Sequence, residues 1–136
     1  MKAIICIVST LLVSGFPASA DSFKAMNQLD VNPLAATEFE VIQRSGSRPK
    51  KIWCAASDYT QNALGQSSRT EIILKTPSGP SVTVPGKKAV GFTIDPNQVT
   101  PVKTSSVSIK IAGASLSASH ASTFCRDARF PTGSKR

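Results

Sequence analysis

The sequence predicts an α+β fold, in which one main helix packs on a small antiparallel sheet and a short helix follows near the C-terminus. Short runs of alternating apolar and polar residues recur along the chain and are separated by glycine and proline, as in strands joined by tight turns. One stretch, residues 47–64, instead places its apolar residues at helical spacing. A sheet of such strands needs a helix to cover one face, which favours the α+β plan.

The first strand is predicted at residues 37–43, where Phe39 and Val41 fall on one face. The main helix follows after a break at residues 45–49. Ser47 is placed to cap it, Pro49 is tolerated in its first turn, and Gly65 is a natural stop. The predicted apolar stripe is Ile52, Ala55, Ala56, Tyr59 and Ala63, widened by Trp53 and Leu64.

The rest of the chain is predicted as strands and turns. The expected strands are residues 70–75, 82–84, 89–94 and 107–111, with turns at residues 77–80 and 85–86. Residues 115–117 fit either a strand or a helix entry. A second helix is expected at residues 119–128, capped by Ser117 or Ser119, with Phe124 and Cys125 turned inward.

The N-terminus has the pattern of a secretory signal peptide. Lys2 is followed by an apolar run of about 12 residues, then by Pro17 and the small residues Ala18-Ser19-Ala20. The run is too short to span a bilayer, which takes about 20 residues. We therefore expect a signal peptide at residues 1–20, a leader at 21–36, one globular domain at 37–129 and a flexible basic tail at 130–136. The expected location is periplasmic or secreted.

Two cysteines, Cys54 and Cys125, remain after the expected cleavage. In an oxidising compartment they most simply pair with each other. Redox pairs keep their cysteines two residues apart, and a metal site needs more histidine or cysteine than His120 supplies. The sequence thus predicts a structural disulfide, and no metal or cofactor site.

Positive charge is the most suggestive functional property. The expected mature chain has 15 basic and 8 acidic residues, a net charge of +7. The disulfide would bring the basic residues before the main helix close to those at the C-terminus. The predicted basic patch, able to attract an anionic partner, consists of Arg44, Arg48, Lys50, Lys51, Arg126 and Arg129. Nucleic acid is not an expected partner, because no stacking aromatics alternate with the cations.

Three runs in the middle of the chain carry a resemblance to a known group. Residues 53–59 read WCAASDY, residues 79–83 read GPSVT and residues 89–93 read AVGFT. Between about residues 39 and 94 the chain resembles a group of small, uncharacterised secreted proteins of Gram-negative bacteria. The resemblance implies a periplasmic or secreted setting and no activity.

Signals for catalysis are sparse. His120 is the one histidine, and no Gly-x-Ser-x-Gly elbow accompanies it. Residues 47–50 match the Ser-x-x-Lys pattern of penicillin-interacting enzymes, but Pro49 lies inside the match and the partner motif is absent. The carboxylates that a hydrolase would need are scattered: Glu38, Glu40, Asp58, Glu71, Asp95 and Asp127.

The sequence therefore favours a small non-catalytic binding protein that contacts an anionic envelope component or an acidic protein. One alternative is an inhibitor of an envelope or foreign enzyme, with a protruding loop at residues 78–80 or 85–87. The other alternative is a small hydrolase that uses His120.

Overall fold

Six antiparallel strands form one sheet in a computed structural model that describes residues 22–102 and 107–126. The strands are β1 (Phe23–Lys24), β2 (Asp30–Ala35), β3 (Glu38–Ile42), β4 (Glu71–Pro80), β5 (Lys88–Thr93) and β6 (Ser115–Ser117), and they lie in the order β1-β2-β3-β5-β4-β6. Helix α1 (Pro49–Asp58) continues into a π-helical turn, Tyr59–Ala63, and helix α2 (Ala118–Ser122) into a 3₁₀ turn, Thr123–Cys125. The predicted α+β plan, with its C-terminal helix, is confirmed.

Helix α1 is buried on both its faces, and every residue from Ile52 to Asp58 is buried. On the sheet side, the Trp53 ring lies 5.0 Å from that of Phe92. On the other side, the Ser57 hydroxyl donates a hydrogen bond of 2.7 Å to the Ala118 carbonyl of α2. Small side chains such as Ala55 allow these close approaches. Helix α1 thus lies between the sheet and α2, at the centre of the core.

The predicted start of this helix was partly wrong. Pro49 lies in the first turn as expected, but the N-cap residue is Arg48 and no side chain caps the helix. Ser47 instead accepts a hydrogen bond from the Arg44 amide, which closes the preceding turn. At the other end, Gly65 follows the helix with φ +65° and confirms the predicted stop. Ala63, predicted on the apolar stripe, is exposed in the wider π-helical turn.

Two predictions between β4 and β5 were wrong. Residues 77–80 belong to β4. Register shifts against β5 accommodate Pro77 there, and the other neighbour, β6, is short and pairs only with residues 71–73. Residues 82–84 are a loop. Their backbone amides bond to side chains, those of Val82 and Thr83 to Glu40 and that of Val84 to Ser81. Donors held in this way are not available to a strand ladder.

The strand predicted at residues 107–111 was also wrong, since this stretch is irregular. Isolated hydrogen bonds, not a strand ladder, hold this stretch on the core. The Trp53 indole donates to the Val107 carbonyl at 2.9 Å, and the Ser78 amide donates to the Ile109 carbonyl at 2.9 Å. Ile109 is buried, whereas Ile111, which belongs to the same alternating set, is 42% exposed. Residues 115–117, which the sequence left open, form β6, and Ser117 caps α2 as one of the two expected cap residues.

The sheet begins before the expected domain start at residue 37. Strands β1 and β2 lie in the stretch expected to be a leader, and their register pairs Phe23 with Val31 and Val31 with Val41. Asp58 fixes this stretch to the helix, because its carboxylate accepts a hydrogen bond of 2.7 Å from the Met26 amide. The expected signal peptide and basic tail lie outside the described residues. Within the described part of the chain, no helix has the length and apolar character that crossing a bilayer takes.

Candidate functional site

The predicted disulfide is present and joins helix α1 to the C-terminal segment. The Cα atoms of Cys54 and Cys125 are 5.1 Å apart across a sequence separation of 71 residues. Both cysteines are buried, with exposures of 0% and 1%. The bond therefore holds the start of α1 against the 3₁₀ turn, and the basic residues next to each cysteine come to the same side of the molecule.

A groove of about 1070 Å³ lies where these two segments meet, and we call it the basic groove. It is lined by residues 26–28, by residues 46 and 48–51, by residues 123, 124 and 126, and by Val107. Four of the six residues of the predicted basic patch are among them: Arg48, Lys50, Lys51 and Arg126.

The cations of the basic groove have no acidic partner among the described residues. In the described part of the chain, no carboxylate oxygen lies within 4.0 Å of the charged groups of Arg48, Lys50, Lys51 or Arg126. All four residues are exposed. The first turn of α1 carries no acidic residue either. The groove thus presents uncompensated positive charge that an anion can approach from solvent.

Apolar surface lies among these cations. Phe124 is half-buried, and the Lys50 ammonium lies 5.6 Å from its ring centroid, which is within the range of a cation–π contact. Val107, Pro49 and the exposed side chain of Met26 add further apolar lining. The groove wall is fixed, because the Asn27 side chain donates a hydrogen bond of 2.8 Å to the Lys51 carbonyl. The site therefore combines charge with apolar contact area.

The other two predicted patch residues are not in the groove. Arg44 lines a neighbouring concave surface of about 610 Å³, formed by residues 43–45 and 86–88, which we call the Lys87 depression. Arg44 also lies 4.0 Å from Asp30, which pairs more closely with Lys24 at 2.7 Å. Arg129 lies outside the described residues. Lys87 and Lys88, which also line this depression, are not among the six residues of the predicted patch.

Glu40 is a buried carboxylate that the sequence did not single out. It is 2% exposed and accepts hydrogen bonds from the hydroxyls of Ser81 and Thr83, both at 2.6 Å, and from the amides of Val82 and Thr83. Burial raises the pKa of Glu40, but these hydrogen bonds to the charged form outweigh it and hold the pKa below its ordinary value of 4.5. Glu40 is thereby an anchor for the loop at residues 81–87, with its oxygens already occupied.

The remaining candidates for chemistry are dispersed. His120 is exposed on α2, where its ring lies 5.7 Å from that of Phe124, and among the described residues no carboxylate lies within 4.0 Å of it. Glu38 is paired with Lys75, and Asp58 accepts from the Asn62 side chain at 2.5 Å. In the Ser-x-x-Lys match, Ser47 closes a turn while Lys50 lies over Phe124. Asp127 lies outside the described residues.

The chain matches no protein-family model, no curated protein and no solved structure.

The first prediction concerns the Glu40 anchor. Glu40→Gln should lower the free energy of unfolding at pH 7 by about 1–3 kcal/mol, because the substitution removes a charged acceptor. Because the folded pKa of Glu40 lies below 4.5, its stabilisation is complete above that pH and is lost as the pH falls through the folded value.

Urea unfolding at pH 7 and at pH 3 measures this effect. The deficit of Glu40→Gln should shrink at the lower pH, and the exposed carboxylate variant Glu71→Gln should differ from the wild type by less than about 0.5 kcal/mol at either pH. A Glu40→Gln deficit of equal size at both pH values would contradict the ionised anchor.

The second prediction concerns the disulfide. The double substitution Cys54→Ala with Cys125→Ala should lower the free energy of unfolding by about 2–5 kcal/mol in urea titrations. A thiol reductant should lower the stability of the wild type and leave the double variant unchanged. Equal stability of the oxidised wild type and the double variant would show that the bond does not hold these two segments.

Proposed function

We propose that this protein is an exported, non-catalytic binding protein that contacts an anionic envelope component or an acidic protein through the basic groove. One observation carries the proposal. Four exposed cations from two distant segments line one groove, and no carboxylate of the described residues pairs with them. Like charges brought together in this way repel one another, and an anionic ligand relieves that repulsion.

The disulfide supports both the proposed export and the proposed binding through the basic groove. Such bonds form and persist in oxidising compartments, which agrees with the signal peptide expected at residues 1–20. The bond also preorganises the groove, since it fixes the segment with Arg126 against the segment with Lys50 and Lys51. A preorganised site loses less conformational entropy when it binds.

The dispersion of the reactive groups supports a role in binding more than one in catalysis. His120 has no acidic partner among the described residues, and the Glu40 oxygens are already occupied by four donor groups. General acid–base catalysis requires groups that converge on one reacting centre. The basic groove offers instead a convergence of cations beside apolar surface, which is suited to holding an anion.

The third prediction tests the groove directly. The oxidised protein, immobilised without residues 1–20, should capture an envelope component that elutes as the salt concentration rises. The double charge reversal Lys50→Glu with Lys51→Glu should reduce this capture at least about tenfold, a loss of about 1.4 kcal/mol of binding free energy. Circular dichroism and thermal melting should show that the variant still folds.

The matched control is Arg69→Glu with Lys110→Glu, which changes the net charge by the same amount at exposed positions outside both concave surfaces. The control should capture the same component as the wild type. Equal capture by all three proteins, or no capture by the wild type, would contradict the proposal.

The loop at residues 81–87 favours a second candidate function, inhibition of an envelope or foreign enzyme. Residues 85–87 lie in this loop, whereas residues 78–80 belong to β4. Val82 is 78% exposed, yet its amide is bonded to the buried Glu40 at 3.1 Å. An exposed apolar side chain on a fixed backbone is the kind of contact that anchors a protein interface at low entropic cost.

The fourth prediction tests this candidate with a panel of purified lysozyme and serine proteinases. If the loop inhibits one of them, Val82→Asp should weaken that inhibition by at least about tenfold. Val102→Asp, at another exposed valine, should leave it unchanged. Absence of inhibition across the panel, or inhibition that does not depend on Val82, would contradict this candidate.

A further inference from the structure

The basic groove and the Lys87 depression are adjoining surfaces. Ser45 lines the depression and Gly46, the next residue, lines the groove. Consecutive Cα atoms are about 3.8 Å apart, so the linings of the two surfaces are joined at the Ser45–Gly46 peptide. Gly46 has φ +79°, a conformation that favours glycine, and the chain turns there from one surface into the other. A ligand long enough to pass this turn can contact both.

Positive charge continues across this junction. The Lys87 depression adds Arg44, Lys87 and Lys88 to the four cations of the groove, and all three are exposed. Among the described residues, no aspartate or glutamate lines either surface. In the same part of the chain, Asp30 approaches Arg44 to 4.0 Å, but Asp30 lies closer to Lys24, at 2.7 Å. The cations therefore form an extended band rather than a single point of charge.

The neutral lining residues indicate what kind of anion fits this band. Amide and hydroxyl side chains lie among the cations, namely Asn27, Gln28 and Thr123 in the groove and Gln43 and Ser45 in the depression. Apolar surface from Phe124 and Pro49 lies beside them. Acidic sugars carry charge, hydroxyl groups and apolar ring faces together. A bare phosphate chain has no apolar face and no hydroxyl groups along it.

We propose that the ligand is a linear acidic polysaccharide that occupies the basic groove and the Lys87 depression at the same time. This inference rests on the proposed function, because it takes the groove to be an anion site. The depression then acts as a second contact on the same ligand chain. Two linked contacts bind more tightly than either alone, since the second forms within a complex already made.

Oligogalacturonates of two and eight units are suitable probes, because every sugar carries one carboxylate. By calorimetry at low salt, the octamer should bind the oxidised protein at least about tenfold more tightly than the dimer, and a neutral maltooctaose should not bind. Lys87→Glu with Lys88→Glu should reduce the affinity for the octamer to that for the dimer and leave the dimer affinity within twofold. The control, Arg69→Glu with Lys110→Glu, should change neither.

The outcomes separate this inference from the proposed function. If the dimer binds through Lys50 and Lys51 and the octamer binds no more tightly, the extended site is overturned and the groove stands. If neither galacturonate probe binds while the salt-dependent capture that depends on Lys50 and Lys51 persists, the polysaccharide assignment is overturned and the proposed function stands. If an octamer of glutamate binds as tightly as octagalacturonate, the polysaccharide assignment is overturned in favour of an acidic polypeptide.

Discussion

The bond between Cys54 and Cys125 is the constraint on which the surface of this protein depends. It connects the first turns of α1 with the last described turn of the chain, 71 residues later. Without such a link, Phe124 and Arg126 would be held against α1 by non-covalent contacts such as that between Lys50 and the Phe124 ring. With the link, they face Lys50 and Lys51 across one groove. A core feature thus determines the surface chemistry.

A second buried group, the Glu40 carboxylate, positions the loop that lines the Lys87 depression. It takes the donors of the 81–87 loop and so positions the chain on which Lys87 lies. Hydrogen bonds to a buried charge are strong only when the charge is fully satisfied, and Glu40 meets that condition with four donor groups. A buried group therefore positions each surface: the disulfide positions the lining of the groove, and Glu40 positions the loop that lines the depression.

The parts that the sequence predicted well are those with local signals. The helical spacing of Ile52, Ala55 and Ala56, the pairing of the two cysteines and the strand at Phe39 each follow from nearby residues or from counting. The wrong predictions share a different cause. Residues 82–84 alternate like a strand, but Glu40, about 40 positions away, accepts hydrogen bonds from the amides of Val82 and Thr83, and Ser81 accepts one from that of Val84. Residues 107–111 alternate too, but Trp53 and Ser78 hold them as an irregular cover.

The site, too, depends partly on contacts that local sequence patterns do not predict. The convergence of four cations of the predicted patch could be predicted because it follows from the disulfide. The separate position of Arg44 could not, because the predicted break at residues 45–49 does not specify the direction in which the chain turns at Gly46. The most direct test of the groove is an NMR titration of the oxidised protein with an oligogalacturonate. We expect the amide signals of residues 26–28, 46–48, 50–51 and 123–126 to shift together. Shifts confined to other surfaces, or none at all, would contradict this expectation.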